Sequence, residues 1–231
     1  MTRRERTCKL ERHDDGAGVI SEPVRGDGLF PPAAYTRDDE SPDGNFYDVP
    51  RKVVHIDDDA IAALCRLYAE VLPADGRLLD VMSSWRSHLP PGFRVKEVVG
   101  IGLNAEEMAD NPQLARSVVH DLNSDPRLPF GDREFDGAMC AVSIQYVLHP
   151  VRVLREMRRV LKPGAPFVVS FSNRCFPTKA VAVWLDTMDE QHLQLVRAYF
   201  EGAGGWVDVK AEDRSSGRGA DPLYAVWAHA P

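Results

Sequence analysis

The segment Phe135-Asp-Gly-Ala-Met-Cys-Ala-Val142, Pro150-Val-Arg-Val-Leu-Arg-Glu-Met-Arg-Arg-Val-Leu161, Lys162-Pro-Gly164, Pro166-Phe-Val-Val-Ser-Phe171 decides the fold class. A short apolar run reads as a buried strand. The next stretch begins at Pro150 and carries Leu154, Met157 and Leu161 at helical spacing, and Lys162-Pro-Gly164 stops it. The second apolar run is another strand. Apolar on both faces, these runs fit a parallel sheet covered by helices on each side.

The same rhythm extends outward. Arg77-Leu-Leu-Asp-Val-Met82, Val95-Lys-Glu-Val-Val-Gly-Ile101 and Ser117-Val-Val-His-Asp121 are predicted as three earlier strands. A helix over about 190–201 turns Leu195, Val196, Tyr199 and Phe200 inward, and Gly202-Ala-Gly-Gly205 ends it. Trp206-Val-Asp-Val-Lys210 and Leu223-Tyr-Ala-Val-Trp-Ala228 follow with no helix between them, which predicts an antiparallel hairpin closing the sheet. Upstream, Ile61, Leu64, Cys65, Tyr68 and Leu72 form one stripe of a helix that Asp57 caps and that Asp58 and Asp59 favour at its start. Residues 1–45 are rich in Gly, Pro and charge and read as an irregular arm. Residues 46–76 form a lid and helix, and 77–231 the core.

The chain has 231 residues, 44% hydrophobic and 27% charged, enough for one domain and an appendage. A net charge of -7 argues against general nucleic-acid binding, which requires clustered Lys and Arg. No run approaches the ~20 apolar residues that span a bilayer, and Met1-Thr-Arg-Arg-Glu-Arg6 lacks the apolar stretch of a signal peptide. A soluble, cytoplasmic protein without membrane attachment is expected. Cys8, Cys65, Cys140 and Cys175 show no zinc-ligand spacing and read as thiols.

Five βα units followed by a hairpin resemble the class I S-adenosylmethionine-dependent methyltransferase family over roughly residues 50–230. Leu128-Pro-Phe-Gly-Asp-Arg-Glu-Phe-Asp136 is similar to the segment before the fourth strand of its small-molecule members. Arg155-Glu-Met-Arg-Arg-Val-Leu-Lys-Pro-Gly164 is similar to the helix and turn before the fifth, and Leu78-Leu-Asp80 to the strand that ends in the cofactor loop. The resemblance implies an α/β, Rossmann-like seven-stranded fold, mostly parallel with a C-terminal antiparallel hairpin. It also implies S-adenosyl-L-methionine as cofactor and a small-molecule substrate. The alternative is a non-methylating member of the fold, a binding protein or an enzyme with another ligand in the same pocket.

Three strand ends carry the implied cofactor site. The family follows the first strand's Asp with glycines, but here Met82, Ser84 and Arg86 take those positions in Asp80-Val-Met-Ser-Ser-Trp-Arg86. Asp80, Met82, Ser83 and Ser84 remain the expected contacts. At the second strand's end Gly102 stands where relatives have a ribose-binding acid, and Asn104 is either a neutral substitute or a helix cap. The third is better matched: Asp121 and Leu122 face the adenine, and Ser143 lies near the reacting group. Gln145, Tyr146, His149 and His55 are the candidate catalytic residues, His149 being alternatively a cap on the next helix. Tyr47, Arg51, Trp85, Asn173 and Arg174 are the candidate substrate contacts. Arg51 suits an anionic group or a nearby Asp, and Cys175, beside Arg174 and Lys179, is a candidate for a lowered thiol pKa. His55 with Asp57, Asp58 and Asp59 fits a helix start better than a metal site, so no metal is expected.

Overall fold

A computed structural model describes residues 25–217 and 219–231; Cys8 and the first half of the arm lie outside them. Seven strands form one sheet: β1 (Arg77–Val81), β2 (Glu97–Gly102), β3 (Arg116–Val119), β4 (Gly137–Ala141), β5 (Pro166–Phe171), β6 (Val207–Asp213) and β7 (Tyr224–His229). Their order is β3-β2-β1-β4-β5-β7-β6. The first five are parallel, and β7 enters antiparallel between β5 and β6. The predicted hairpin therefore closes the sheet by inserting its second strand beside β5.

Six α-helices accompany the sheet among the described residues: α1 (Asp43–Phe46), α2 (Asp58–Val71), α3 (Ala105–Ala109), α4 (Pro150–Val160), α5 (Ala182–Leu185) and α6 (Asp189–Ala203). Adjacent strand residues face opposite sides, so each apolar strand feeds two cores. Leu79, Val99, Cys140, Phe167, Val169 and Val226 pack under α4 and α6, through Leu154, Met157, Val196 and Phe200. Leu78, Val98, Met139, Val168 and Trp227 pack under α2, through Leu64, Leu67 and Tyr68. Asp57 caps α2 as expected, its carboxylate accepting from the Ala60 amide at 2.9 Å.

The alternation of strands and helices is less complete than five βα units. Residues 82–96, between β1 and β2, and 120–136, between β3 and β4, contain no helix. In the first crossover Pro90-Pro91 removes two amide donors and Met82 leaves β1 at φ 56, outside helical space. In the second, the Asp121 side chain accepts from the Asn123 amide at 2.9 Å and from the Ser124 hydroxyl at 2.6 Å, a local turn that competes with helix.

Strand order reverses between β1 and β4, and in such sheets ligands bind beyond the carboxyl ends of the strands at that point. The described part of the N-terminal segment packs beside that end: Tyr35 is fully buried, and a Cβ on Gly26 would lie 1.9 Å from its ring. No helix among the described residues is long and apolar enough to cross a membrane.

Candidate functional site

A cleft opens at the reversal, beyond the carboxyl ends of the strands. Its floor is the ends of β1, β2, β3 and β4, contributing Asp80, Met82, Gly102, Asp121, Leu122 and Ser143. Its roof is residues 43–56, which contribute Asp43, Tyr47, Arg51, Val53, Val54, His55 and Ile56. The loop after β1 forms a side wall with Ser83, Ser84, Trp85, Arg86 and His88, and Phe176 and Tyr146 complete an aromatic corner.

The loop after β1 is held from beneath. Asp80 is buried at 3% exposure, and Oδ2 accepts the hydroxyls of Ser83 and Ser87, each at 2.6 Å. Met82, at the first of the positions where relatives carry glycine, sits at φ 56, so the loop keeps a left-handed turn without the residue that favours it. Ser83 turns back onto β2, its amide donating to the Ile101 carbonyl at 2.8 Å. A Cβ on Gly102 would meet the Ser83 carbonyl oxygen at 2.2 Å. The space of a side chain at that position is taken by the loop itself, which explains why no acid stands there.

Burial pushes the Asp80 carboxyl up to about 6, with the two serine hydroxyls pulling it back down. The folded state therefore holds this proton more tightly than the unfolded chain, whose Asp titrates near 3.9. Stability falls as pH rises from about 4 to about 6, and above that the whole cost, on the order of 3 kcal/mol, is in force. Asp80→Asn is expected to flatten this part of the stability–pH curve and to gain over wild type at pH 7, as urea unfolding at pH 4.5 and 7 will measure.

Glu107, which the sequence reading passes over, is buried and lines the cleft. Its carboxylate accepts the Ser84 hydroxyl at 2.6 Å and the Arg51 amide, tying loop to roof. Asn104 is a helix cap, one of the two roles expected for it, and it also touches the roof. Its Oδ1 caps α3 by accepting from the Glu107 amide at 2.9 Å, and its Nδ2 donates to the Tyr47 carbonyl at 2.8 Å beside the cleft. A second tie joins the Trp85 indole to the Val53 carbonyl at 3.0 Å.

The roof is anchored at its start by a buried ionic cluster. Arg37 meets Asp43 at 2.7 Å, and Lys179, fully buried, lies 3.4 Å from Asp43 and 3.1 Å from Asp39. Asn123 donates to Asp43 at 2.7 Å and to the Tyr146 carbonyl at 2.9 Å, joining the β3 end to the roof and to the β4 loop. His55 meets the Phe176 ring edge to face at 4.8 Å, and the Phe176 amide donates to the Tyr146 hydroxyl at 2.8 Å. Burial lowers His55, and burial with Arg86 and His55 lowers His88 to about 4, so both imidazoles are neutral at pH 7.

The structure thus gathers Asp80, Met82, Ser83, Ser84, Gly102, Asn104, Asp121, Leu122 and Ser143 with Tyr47, Arg51, His55, Trp85 and Tyr146 around one cleft. Four candidates lie elsewhere. Gln145 is wholly buried, its amide turned back to the Val142 carbonyl at 3.0 Å. His149 precedes α4 as its N-cap residue, with Nδ1 3.5 Å from Asp27. Asn173 is exposed, and Arg174 is spent on Asp221 at 2.8 Å. Cys175 moves opposite to expectation: burial raises its thiol pKa, because Arg174 faces Asp221 and Lys179 is sunk against Asp43.

Fold and cleft define a Rossmann-like α/β protein with a cleft at the strand-order reversal. Residues 84–169 match the family model described as a methyltransferase domain. Over 59 residues the chain is 41% identical to a ubiquinone/menaquinone biosynthesis C-methyltransferase of Bordetella avium, covering 25% of this chain and 23% of that protein. Among solved structures, an S-adenosylmethionine-dependent methyltransferase of Aquifex aeolicus superposes with a TM-score of 0.54 at 18% identity, covering 82% of this chain and 97% of that one. The [4+2]-cyclase SpnF superposes at 0.55 with 19% identity, covering 81% and 91%. The chain shares the fold of S-adenosylmethionine-dependent methyltransferases, and its residues 84–169 are similar to their methyltransferase domain. Its alignments span less than a quarter of the length of the curated relatives it matches.

Proposed function

We propose that the chain transfers a methyl group from S-adenosylmethionine to a small-molecule acceptor. The observation that carries this reading is the division of the cleft, with carboxylates on the strand-end floor and beside it and an aromatic, arginine-bearing roof. The floor fits the nucleoside side of the cofactor. Asp80, Asp121 and Glu107 suit a ligand with hydroxyls, an amine and a sulfonium charge, and Gly102 keeps the backbone bare. Met82 takes a left-handed conformation at a position where the family resemblance implies a glycine.

When bound, the cofactor supplies a methyl carbon on an already activated leaving group, so alignment and exclusion of water are the protein's main tasks. Asp121 and the Leu122 backbone would hold the adenine side and Ser143 would flank the β4 end. The Trp85–Val53 and Glu107–Arg51 ties keep the roof down and water out. His55, neutral and against Phe176, is placed to accept a proton from an acceptor hydroxyl or amine.

Titration calorimetry with S-adenosylhomocysteine tests the reading: no heat at millimolar ligand would sink it. Asp121→Ala is expected to weaken binding by about 1–3 kcal/mol, the cost of leaving a polar partner unpaired. An unchanged affinity would remove Asp121 from the site. A second reading, a non-methylating member of the fold, draws on Asp80, whose carboxylate is already occupied by two serines, and on the helix-free first crossover. It predicts no response to the homocysteine ligand.

A further inference from the structure

Two arginines stand out among the residues that line the cleft. Arg51 lies over the Phe46 ring at 4.0 Å and donates to the Phe46 carbonyl. Arg86 lies over the Trp85 ring at 4.2 Å. Among the described residues neither guanidinium is ion-paired, whereas Arg25, Arg37, Arg77, Arg94, Arg159 and Arg174 each meet a carboxylate. In a chain of net charge -7, two such cations on one cleft call for an explanation.

The acids of the cleft do not supply one. Asp43 is taken by Arg37, Lys179 and Asn123, Asp80 by two serines, and Asp121 by its own turn. Glu107 accepts the backbone amide of Arg51, not its guanidinium. Arg51 stands on the roof and Arg86 on the side wall, and the two walls meet where Trp85, next to Arg86, is bonded to Val53, two residues beyond Arg51. The surfaces around them are apolar: Val53, Val54, Tyr47, Trp85 and Phe176. A guanidinium stacked on a ring keeps its in-plane donors free and presents them as a fork that matches a carboxylate.

We propose that the acceptor molecule carries a carboxylate, which Arg51 and Arg86 clamp at the mouth of the cleft while its apolar or aromatic body rests on Trp85, Tyr47 and Phe176. This rests on the methyltransferase reading for the word acceptor, but the carboxylate site itself does not. The lowering of His88 by Arg86 agrees with a positive charge left uncompensated on that wall.

The test uses 3-phenylpropanoate and its neutral isostere 3-phenylpropanamide as probes, titrated by calorimetry into wild type, Arg51→Gln, Arg86→Gln and, as a distant control, Arg94→Gln. Wild type and the control should prefer the carboxylate by at least about tenfold, and each cleft variant should cut that preference to about threefold or less, with melting temperatures unchanged. Equal binding of acid and amide, no binding of either, or a preference that survives both substitutions would overturn the proposal. Titrating S-adenosylhomocysteine in parallel separates the two ideas. Carboxylate preference without cofactor binding would sink the methyltransferase reading alone, and cofactor binding without the preference would sink only the clamp.

Discussion

Lys179→Ala is expected to destabilise the chain by about 3–5 kcal/mol, the range seen when one partner of a buried ion pair is removed. Lys179 is fully buried, its ammonium donating to the Ser41 carbonyl at 2.7 Å and facing Asp39 and Asp43. Its loss strands Asp43, itself 6% exposed, with Arg37 as its remaining cation among the described residues. The damage should be directional. Residues 36–47, which Lys179 pins from the β5 side, should exchange amide hydrogens faster while β4 and β5 keep their protection. Urea unfolding gives the magnitude and hydrogen exchange the location. Lys179→Met, which refills the space without the ammonium, should recover only a small part of the loss, since Arg37 stays paired with Asp43 while the Ser41 carbonyl and Asp39 lose their partner. Full recovery by Lys179→Met would mean that Lys179 acts through packing alone.

The second large effect is predicted at Gly102. An added Cβ would meet the Ser83 carbonyl oxygen at 2.2 Å and Met108 Sδ at 3.2 Å, and the first of these is backbone that cannot swing aside. Overpacking of this kind costs about 1–3 kcal/mol. The Ser83 amide would also have to release the Ile101 carbonyl, worth about 1 kcal/mol. Gly102→Ala should therefore lower the melting temperature by roughly 4–16 °C, at about 2–4 °C per kcal/mol for a chain of this size. It should also abolish ligand binding, because the loop that moves carries Ser84, Trp85 and Arg86. Gly100→Ala provides the contrast: its Cβ would meet a methyl of Leu114 at 2.6 Å, the far end of a side chain that can rotate. If the two variants melt alike, the close approach of the loop to Gly102 is not what the structure shows.

The candidate site was legible where residue type and position along a strand suffice. Asp80, Met82, Gly102 and Asp121 stand at the ends of predicted strands, and every strand end at the carboxyl side of a parallel sheet points to the same rim. Residues placed by loops were not legible to the same degree. Asn173 and Arg174 follow β5 at that end of the sheet, yet Asp221, on a loop 47 residues further on, draws Arg174 away from the cleft. Glu107 was hidden by the opposite effect. Three residues after Asn104 it has the spacing of a capping box, a local role, but its carboxylate is turned instead to Ser84 and Arg51, 23 and 56 residues distant. Helix-free crossovers were equally hidden, since the serines that hold the first one down bond to a buried Asp and not to each other.

By itself the sequence determined the α/β class, the strands, the stripes of α2, α4 and α6, and the hairpin that ends the sheet, because apolar periodicity and chain-stopping Pro and Gly are properties of neighbours along the chain. Only the tertiary structure decided what the altered loop after β1 does. That loop bonds its own Asp, fills the space above Gly102 and sends Trp85 and Arg86 to the roof. Such an outcome depends on which distant groups are left unsatisfied when the strands come together, and no local pattern encodes that.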